Sequence, residues 1–314
     1  MNEIVFLSGL PRSGSTLLAN VLAMHPTIAS TPSSPLCNMV NNMRVNWSDD
    51  VFLLAQLDEK NLDDILFKLK YSTQAFMSSW SLSEKYMAHK QQFVSEPSQK
   101  FVTVDKNRGW LACCEWLREI YPNFKMIITL RDLVDIYKSI EKRHRKTLLL
   151  DFPDHLEHNN VSGRATQLFN DGGIIGAPLR SLKNLGFIPN IVNHLYFWKY
   201  EDFLIDPQRV SNHLFEFLGL PNHEIDFSNI VQSTFEADSF YRMKFPHKIH
   251  PKVEKSTEQV DISPIIMNDI NTQFDWFKQD YYPETINQGV PPTPENVQDS
   301  NLSQSLEDLI EQEV

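Results

Sequence analysis

Residues 4–18 read Ile-Val-Phe-Leu-Ser-Gly-Leu-Pro-Arg-Ser-Gly-Ser-Thr-Leu-Leu. The apolar run Ile4 to Leu7 predicts a buried strand, the Gly/Pro/Ser stretch after it a tight loop, and the apolar segment from Ser15 through Met24 a helix. A strand that turns this sharply into a helix aims the loop's backbone N–H groups and the positive end of the helix dipole at one spot. Such a spot favours a phosphate or a sulfate.

The spacing narrows the ligand. Gly9, four residues, Gly14, then Ser15 and Thr16 follow the phosphate-loop pattern G-x-x-x-x-G-K-[ST], except that Ser15 stands where the lysine belongs. The cation of this stretch is Arg12 instead. In nucleotide triphosphatases the lysine reaches the terminal phosphates beside magnesium, so its loss argues against ATP or GTP hydrolysis and for another phosphorylated donor. An ordinary strand-to-helix turn is the competing reading.

Two further segments extend the strand–helix–strand order. Phe101 to Asn107 predicts a short strand ending in Asp105 and Lys106, a helix follows from about Arg108 to Tyr121, and Phe124 to Leu130 is the clearest buried strand in the chain. This order implies a parallel sheet with right-handed crossovers. Ligands bind beyond the carboxyl ends of such strands, so Asp105 and Lys106 are expected to face the same crevice as Arg12. Arg131 stands at the end of its strand, and Ser139 and Arg143 lie one turn apart on the helix after it. Two guanidinium groups and a hydroxyl so arranged can surround a phosphate monoester. The rest of the Lys142–Lys146 run is explained by the preference for cations at a helix C-terminus.

The remaining segments are read as follows. His25, before Pro26, is expected to pack or cap the end of the first helix. Thr27 to Pro35 reads as a loop over the donor site, and Leu36 to Tyr86 as helices walling the acceptor side. Thr147 to Pro189 is weakly patterned, with Gly172-Gly173 and Gly176-Ala-Pro178 as turns of a flap. Asn193 to Tyr200 predicts a strand, Pro207 to Gly219 a helix, and Asp261 to Tyr282 a last helix. Lys244 to Thr257 is a basic patch, read as a clamp over an anion with a solvated face as the alternative. Beyond Asn287 the acidic chain, free of Lys and Arg, reads as a disordered tail. The expected organisation is one α/β domain over 1–286, with helical insertions at about 36–100 and 147–190, followed by the tail at 287–314.

A net charge of −11 disfavours nucleic acid as a partner and requires any polyanion site to be local. No apolar run approaches the roughly 18 residues of a membrane span, and the strand that begins almost at the N-terminus leaves no room for a signal, so a cytoplasmic location is expected. Of the three cysteines, Cys113 and Cys114 are neighbours and Cys37 stands alone, so all are expected as small buried apolar groups. His155 and His158 lack a third ligand at a fixed spacing, and no metal site is expected.

The run Pro11-Arg-Ser-Gly-Ser-Thr-Leu-Leu18 resembles the 5′-phosphosulfate loop of sulfotransferases that use 3′-phosphoadenosine 5′-phosphosulfate (PAPS). Within that family the chain is most similar to tyrosylprotein sulfotransferases. Four motifs recur in order: Gly9–Leu17, Asp105-Lys106, Arg131-Asp132 with Ser139 and Arg143, and Lys252–Val260. Tyr200-Glu-Asp202 and Phe217–Pro221 add family character.

The resemblance implies a P-loop-type parallel sheet flanked by helices, in a three-layer sulfotransferase-like architecture. It implies that Arg12, Lys106 and Ser256 stabilise the transferring sulfuryl group and leaving phosphate. Ser13, Gly14, Ser15 and Thr16 then cradle the 5′-phosphate, Arg131, Ser139 and Arg143 clamp the 3′-phosphate, Tyr200 contacts adenosine, and Lys255 adds a donor contact. Where tyrosylprotein sulfotransferases carry a Gly-Glu-Glu segment with the general base, this chain has Ser30-Thr-Pro-Ser-Ser-Pro35. Asp105 or a histidine is then the candidate base, or the acceptor is not a peptide tyrosine. The acceptor class stays open among small alcohols, glycans and peptide tyrosines. A P-loop kinase with an atypical loop and a non-catalytic nucleotide- or glycan-binding protein on the same fold are the alternative functions.

Overall fold

The computed structural model describes residues 2–55, 59–81, 100–146, 148, 160–233, 236–237, 246–254 and 260–283. Asn2–Gly9 (β1), Ile28–Ser33 (β2), Phe101–Lys106 (β3), Lys125–Leu130 (β4) and Leu195–Lys199 (β5) form one sheet in the order β2-β3-β1-β4-β5, and every pair is parallel. The helices are Ser15–Met24 (α1), Leu36–Ala55 (α2), Glu59–Ser81 (α3), Cys114–Ile120 (α4), Leu133–Arg145 (α5), Val161–Phe169 (α6), Gly176–Asn184 (α7), Tyr200–Ile205 (α8), Pro207–Leu218 (α9), Pro264–Gln273 (α10) and Asp275–Tyr281 (α11). Two-residue strands Glu236–Ala237 (β6) and Pro246–His247 (β7) pair antiparallel, with Glu236 opposite His247.

Strand alternation divides the core in two. Phe6 faces one way, onto Trp110 at 4.7 Å between ring centroids, with Ile128, Leu117 of α4, Tyr137 of α5 and Leu179 of α7. Val5 and Leu7 face the other way, onto Leu18 and Leu22 of α1, Phe215 of α9 and Trp198. Three layers follow: helices, sheet, helices. Burying each such side chain stabilises the fold by about 1.5–3 kcal/mol.

β1 is the central strand. The chain leaves it toward β2 and β3 on one side and returns to build β4 and β5 on the other, so the strand order reverses at its carboxyl end. The helix ends are fixed by local chemistry. Asp132 caps α5 by accepting from the Asp135 N–H, Asp206 caps α9 from the Arg209 N–H, and Gly219 closes α9 with φ of 69°.

The structure corrects several sequence expectations. Thr27 to Pro35 contains β2, because Ile28, Ala29 and Ser30 are buried against β3. Pro32 is tolerated because β2 is an edge strand with its register broken between Ser30 and Ser33. Residues 108–113 form a 3₁₀ turn ahead of α4, set by the Asn107 side chain accepting from the Gly109 N–H. Gly176 to Pro178 open α7 in place of a flap turn, and Gly176 lies so close to α6 that an added Cβ would sit 1.9 Å from the Asn170 carbonyl oxygen. The strand predicted from Asn193 begins at Leu195, after a 3₁₀ turn at Ile191–His194. The last helix is two helices, broken at Phe274. The histidine pair at 155 and 158, the tail beyond 287, and Lys255 and Ser256 lie outside the described residues.

Candidate active site

The loop after β1 is built on unusual backbone. Gly9 (φ 129°) lies against β4, where a Cβ would meet the Thr129 carbonyl oxygen at 2.3 Å, so only glycine fits. Gly14 (φ 90°) is packed under Tyr200, where a Cβ would come within 2.7 Å of the ring. Arg12 adopts φ of 57°, a left-handed conformation that costs a non-glycine residue about 1–2 kcal/mol. Its carbonyl oxygen accepts from Arg131 Nη1 at 3.1 Å. Strain stored at one residue of an anion loop marks a place where geometry is held for use.

Around Arg12 the structure brings together Ser139, Arg131 and Tyr200. Arg12 Nε donates to Ser139 Oγ at 3.1 Å, which joins the loop to α5 across 127 positions of sequence. The Arg131 guanidinium lies over the Tyr200 ring, 4.7 Å from its centroid. Burial pushes the Tyr200 hydroxyl pKa up, and the Arg131 cation acts against that rise. Arg143 is partly buried one turn beyond Ser139 on α5. Arg131 Nε is buried with no hydrogen-bond partner among the described residues. A buried, orphaned guanidinium nitrogen between Arg12 and Tyr200 fits an anion such as a nucleotide phosphate.

This corner is braced from behind. Glu201, at the start of α8, accepts from the Asp132 N–H and from the Tyr282 hydroxyl, both at 3.0 Å. Burial raises the Glu201 pKa, against those hydrogen bonds.

The opposite end of the crevice holds Lys106 and Thr16. Lys106 Nζ donates to Thr16 Oγ1 at 2.9 Å, and both are buried. Glu236 completes the group: Lys106 Nζ reaches its two carboxylate oxygens at 2.7 and 2.6 Å, and Thr16 Oγ1 donates to it at 3.0 Å. The residues before and after Glu236 carry no motif that would have singled it out of the sequence. Its role is visible only once β6 lies over the loop.

Other candidates take structural places. Ser13 is fully buried and turns its hydroxyl inward, to the Leu10 carbonyl oxygen (2.6 Å) and Thr129 Oγ1 (2.7 Å), so its backbone N–H is what it offers an anion. Ser15 opens α1 and is partly buried. His25 packs as expected: it is buried, with Nε2 at 3.1 Å from the Pro221 carbonyl oxygen and Nδ1 accepting from the Thr27 N–H.

Asp105 corrects the expectation of a shared crevice. Neighbouring strand residues point to opposite faces, so with Lys106 turned to the loop, Asp105 turns away into the Trp110 side of the core. Its Oδ1 accepts from Trp110 Nε1 at 2.8 Å, and burial raises its pKa. Cys37 is not alone: its Sγ lies 4.0 Å from Cys113 Sγ, and both are free thiols. The described part of the basic patch is solvated, with Lys248, His250 and Lys252 exposed and Lys252 paired to Glu254 at 3.7 Å.

Beside Lys106 lies a cavity of about 520 Å³, walled by Thr31 to Pro35 on one side and by Phe76, Ser79, Trp80 and Ser81 of α3 on the other. Thr31 Oγ1 accepts from the Lys106 N–H at 3.1 Å and the Ser34 N–H donates to the Lys106 carbonyl oxygen at 2.8 Å, so this wall is fixed to the strand end that carries the lysine. No ionisable residue lines it among the described residues.

Comparison with known proteins finds sulfotransferases. Protein-tyrosine sulfotransferase 2 of Gallus gallus is 28% identical over 129 residues, covering 41% of this chain and 31% of that protein. Protein-tyrosine sulfotransferase 1 of Mus musculus is 27% identical over the same length, with the same shares covered. The chain thus spans about a third of the curated relatives it matches. Among solved structures, the sulfotransferase domain from the curacin biosynthetic pathway superposes with a TM-score of 0.46 at 19% identity, covering 88% of this chain and 98% of that one. A sulfotransferase from Alicyclobacillus acidocaldarius gives 0.46 at 14% identity, covering 91% and 95%. The model of the sulfotransferase family matches residues 4–170, more than half of the chain and all of the loop, Lys106 and Arg131–Arg143 motifs, and the protein belongs to that family.

Proposed function

We propose that the protein is a PAPS-dependent sulfotransferase that moves a sulfuryl group to a hydroxyl acceptor held in the cavity beside Lys106. The observation that carries this reading is the meeting of Arg12, Arg131, Ser139 and Tyr200 at one end of a crevice whose other end is formed by Lys106 and Thr16. A nucleotide that carries a phosphate at each end would bring one anion to each of these two groups.

In this reading Arg131, Ser139 and Arg143 hold the 3′-phosphate and Tyr200 flanks the adenosine. The N–H groups of Ser13, Gly14, Ser15 and Thr16 hold the 5′-phosphate. The donor supplies an activated sulfuryl group. Negative charge builds on the bridging oxygen as that group leaves, and Arg12, Lys106 and the N-terminus of α1 are the positive groups read as meeting it there. The side chains supply the positive charge, and the proposal calls for no metal. Ser256 and Lys255 remain in it through their motif alone. The aromatic-walled cavity, with no ionisable lining residue among the described residues, supports an acceptor whose bound part is uncharged. The chain is read as one catalytic domain over 1–286, acting without nucleic acid or membrane. Among the described residues no helix is long and apolar enough to cross a membrane.

The test is transfer of radiolabelled sulfate from the donor to a panel of phenols, sugars, aliphatic alcohols and tyrosine peptides. Transfer to at least one is expected. Failure on every acceptor, together with magnesium-dependent ATP turnover, would replace this reading with a kinase.

A further inference from the structure

The two groups assigned to the donor's 5′ end already hold an anion from the chain itself. Glu236 sits on Lys106 and Thr16 with three contacts of 2.6 to 3.0 Å, and the lysine and glutamate side chains are 8% and 7% exposed. It arrives there from outside the sheet, on the short β6 strand paired to β7. Buried charges are kept only when paired, so the carboxylate satisfies the lysine. A second anion on the same buried ammonium would face a like charge at contact distance.

We propose that Glu236 sets donor affinity by competition: its carboxylate stands where the 5′-phosphosulfate of the donor belongs, and nucleotide binding exchanges one anion for the other. This rests on the donor reading above. The observed affinity is then the intrinsic affinity reduced by the fraction of molecules whose lysine is released. The far clamp is held by other partners, because among the described residues Arg131 contacts Arg12, Asp135 and Tyr200, and Ser139 contacts Arg12. The competition therefore acts only on ligands that carry a 5′-phosphate.

Calorimetry with two probes separates this from a general charge effect. Adenosine 3′,5′-bisphosphate is expected to bind Glu236→Gln at least about tenfold more tightly than the unsubstituted protein, as for a lysine released in about a tenth of molecules. Adenosine 3′-phosphate, with nothing to place on Lys106, is expected to bind both equally. Glu236→Asp keeps the charge with a shorter reach, and its bisphosphate affinity is expected between the two. It decides the question by the same criterion should Glu236→Gln fail to fold.

Equal or weaker bisphosphate binding by the variants overturns the competition while leaving the donor reading intact. Equal tightening for both probes also overturns it, since net charge alone would do that. Bisphosphate binding by none of the proteins removes the donor reading, and the competition with it.

Discussion

The two ends of the crevice handle charge in opposite ways. At the Arg131 end the guanidinium lies on Tyr200, donates to a strained Arg12, and keeps a buried Nε without a partner among the described residues. At the Lys106 end the ammonium is matched by both oxygens of Glu236 and by Thr16. The first end pairs Arg131 with Asp135 at 4.0 Å yet keeps one buried donor without a hydrogen bond among the described residues; the second is satisfied from within. An anion at the first end gains hydrogen bonds at little cost, whereas an anion at the second must replace one that is already there. Most of the net binding free energy of a two-ended ligand should therefore come from the Arg131 end. The Lys106 end contributes chiefly when charge develops during the reaction.

The largest effect that would sharpen this contrast belongs to Lys106→Ala. Sulfuryl transfer should fall by about 10²–10³-fold in kcat, as when one donor to the developing charge is removed. Folding stability should fall by about 3–5 kcal/mol, because Glu236 is left buried without its cation. Adding Glu236→Gln should recover most of the stability and none of the rate. Denaturant melts and initial rates of the two variants measure both, and a double variant as unstable as the single one would break the contrast.

Gly14→Ala tests the Arg131 end through its floor. The new methyl must enter the space of the Tyr200 ring at a backbone φ of 90°, so a loss of about 1–3 kcal/mol in stability is expected, with weaker nucleotide binding as Tyr200 is displaced. Unchanged binding would mean that Tyr200 does not touch the nucleotide.

Asp105→Asn should have the smallest effect. Burial raises the native pKa of Asp105 above its unfolded value, so the native state binds the proton more readily. The unsubstituted protein therefore gains stability from this group as pH falls below that raised pKa toward the unfolded value, and loses it as pH rises through the native pKa. Asparagine can still accept from Trp110 and carries no such dependence. The variant should match or exceed the unsubstituted protein in stability at pH 7, with its advantage shrinking toward about pH 4. Its kcat should stay within about threefold, since the carboxyl faces away from the loop; a 10²-fold loss would restore Asp105 as the general base.

Much of the Arg131 end was legible in the sequence. Gly9 and Gly14 announce the loop, apolar strands bracket it, and Ser139 and Arg143 share a helix face, because each signal is local or periodic. Parallel order was legible for the same reason. What was not legible depends on contacts between distant segments. Thr27 to Pro35 has loop composition, yet it is an edge strand because β3 buries Ile28 and Ala29. Asp105 and Lys106 are adjacent and read as facing one crevice, while the pleat sends them to opposite faces. The sequence places a run of cations after Lys244 as the clamp over the donor loop, whereas the described residues bring a carboxylate, Glu236, from a two-residue strand. No periodicity exists over two residues.

The most direct measurement is the calorimetric titration of adenosine 3′,5′-bisphosphate into the unsubstituted protein and into Arg131→Ala. The expected result is saturable one-to-one binding that weakens by about 2 kcal/mol, roughly 30-fold, when the guanidinium with its unpartnered Nε is removed. The contradicting result is no binding by the unsubstituted protein, or equal affinities for the two, which would mean that Arg12 and Arg131 do not grip one nucleotide.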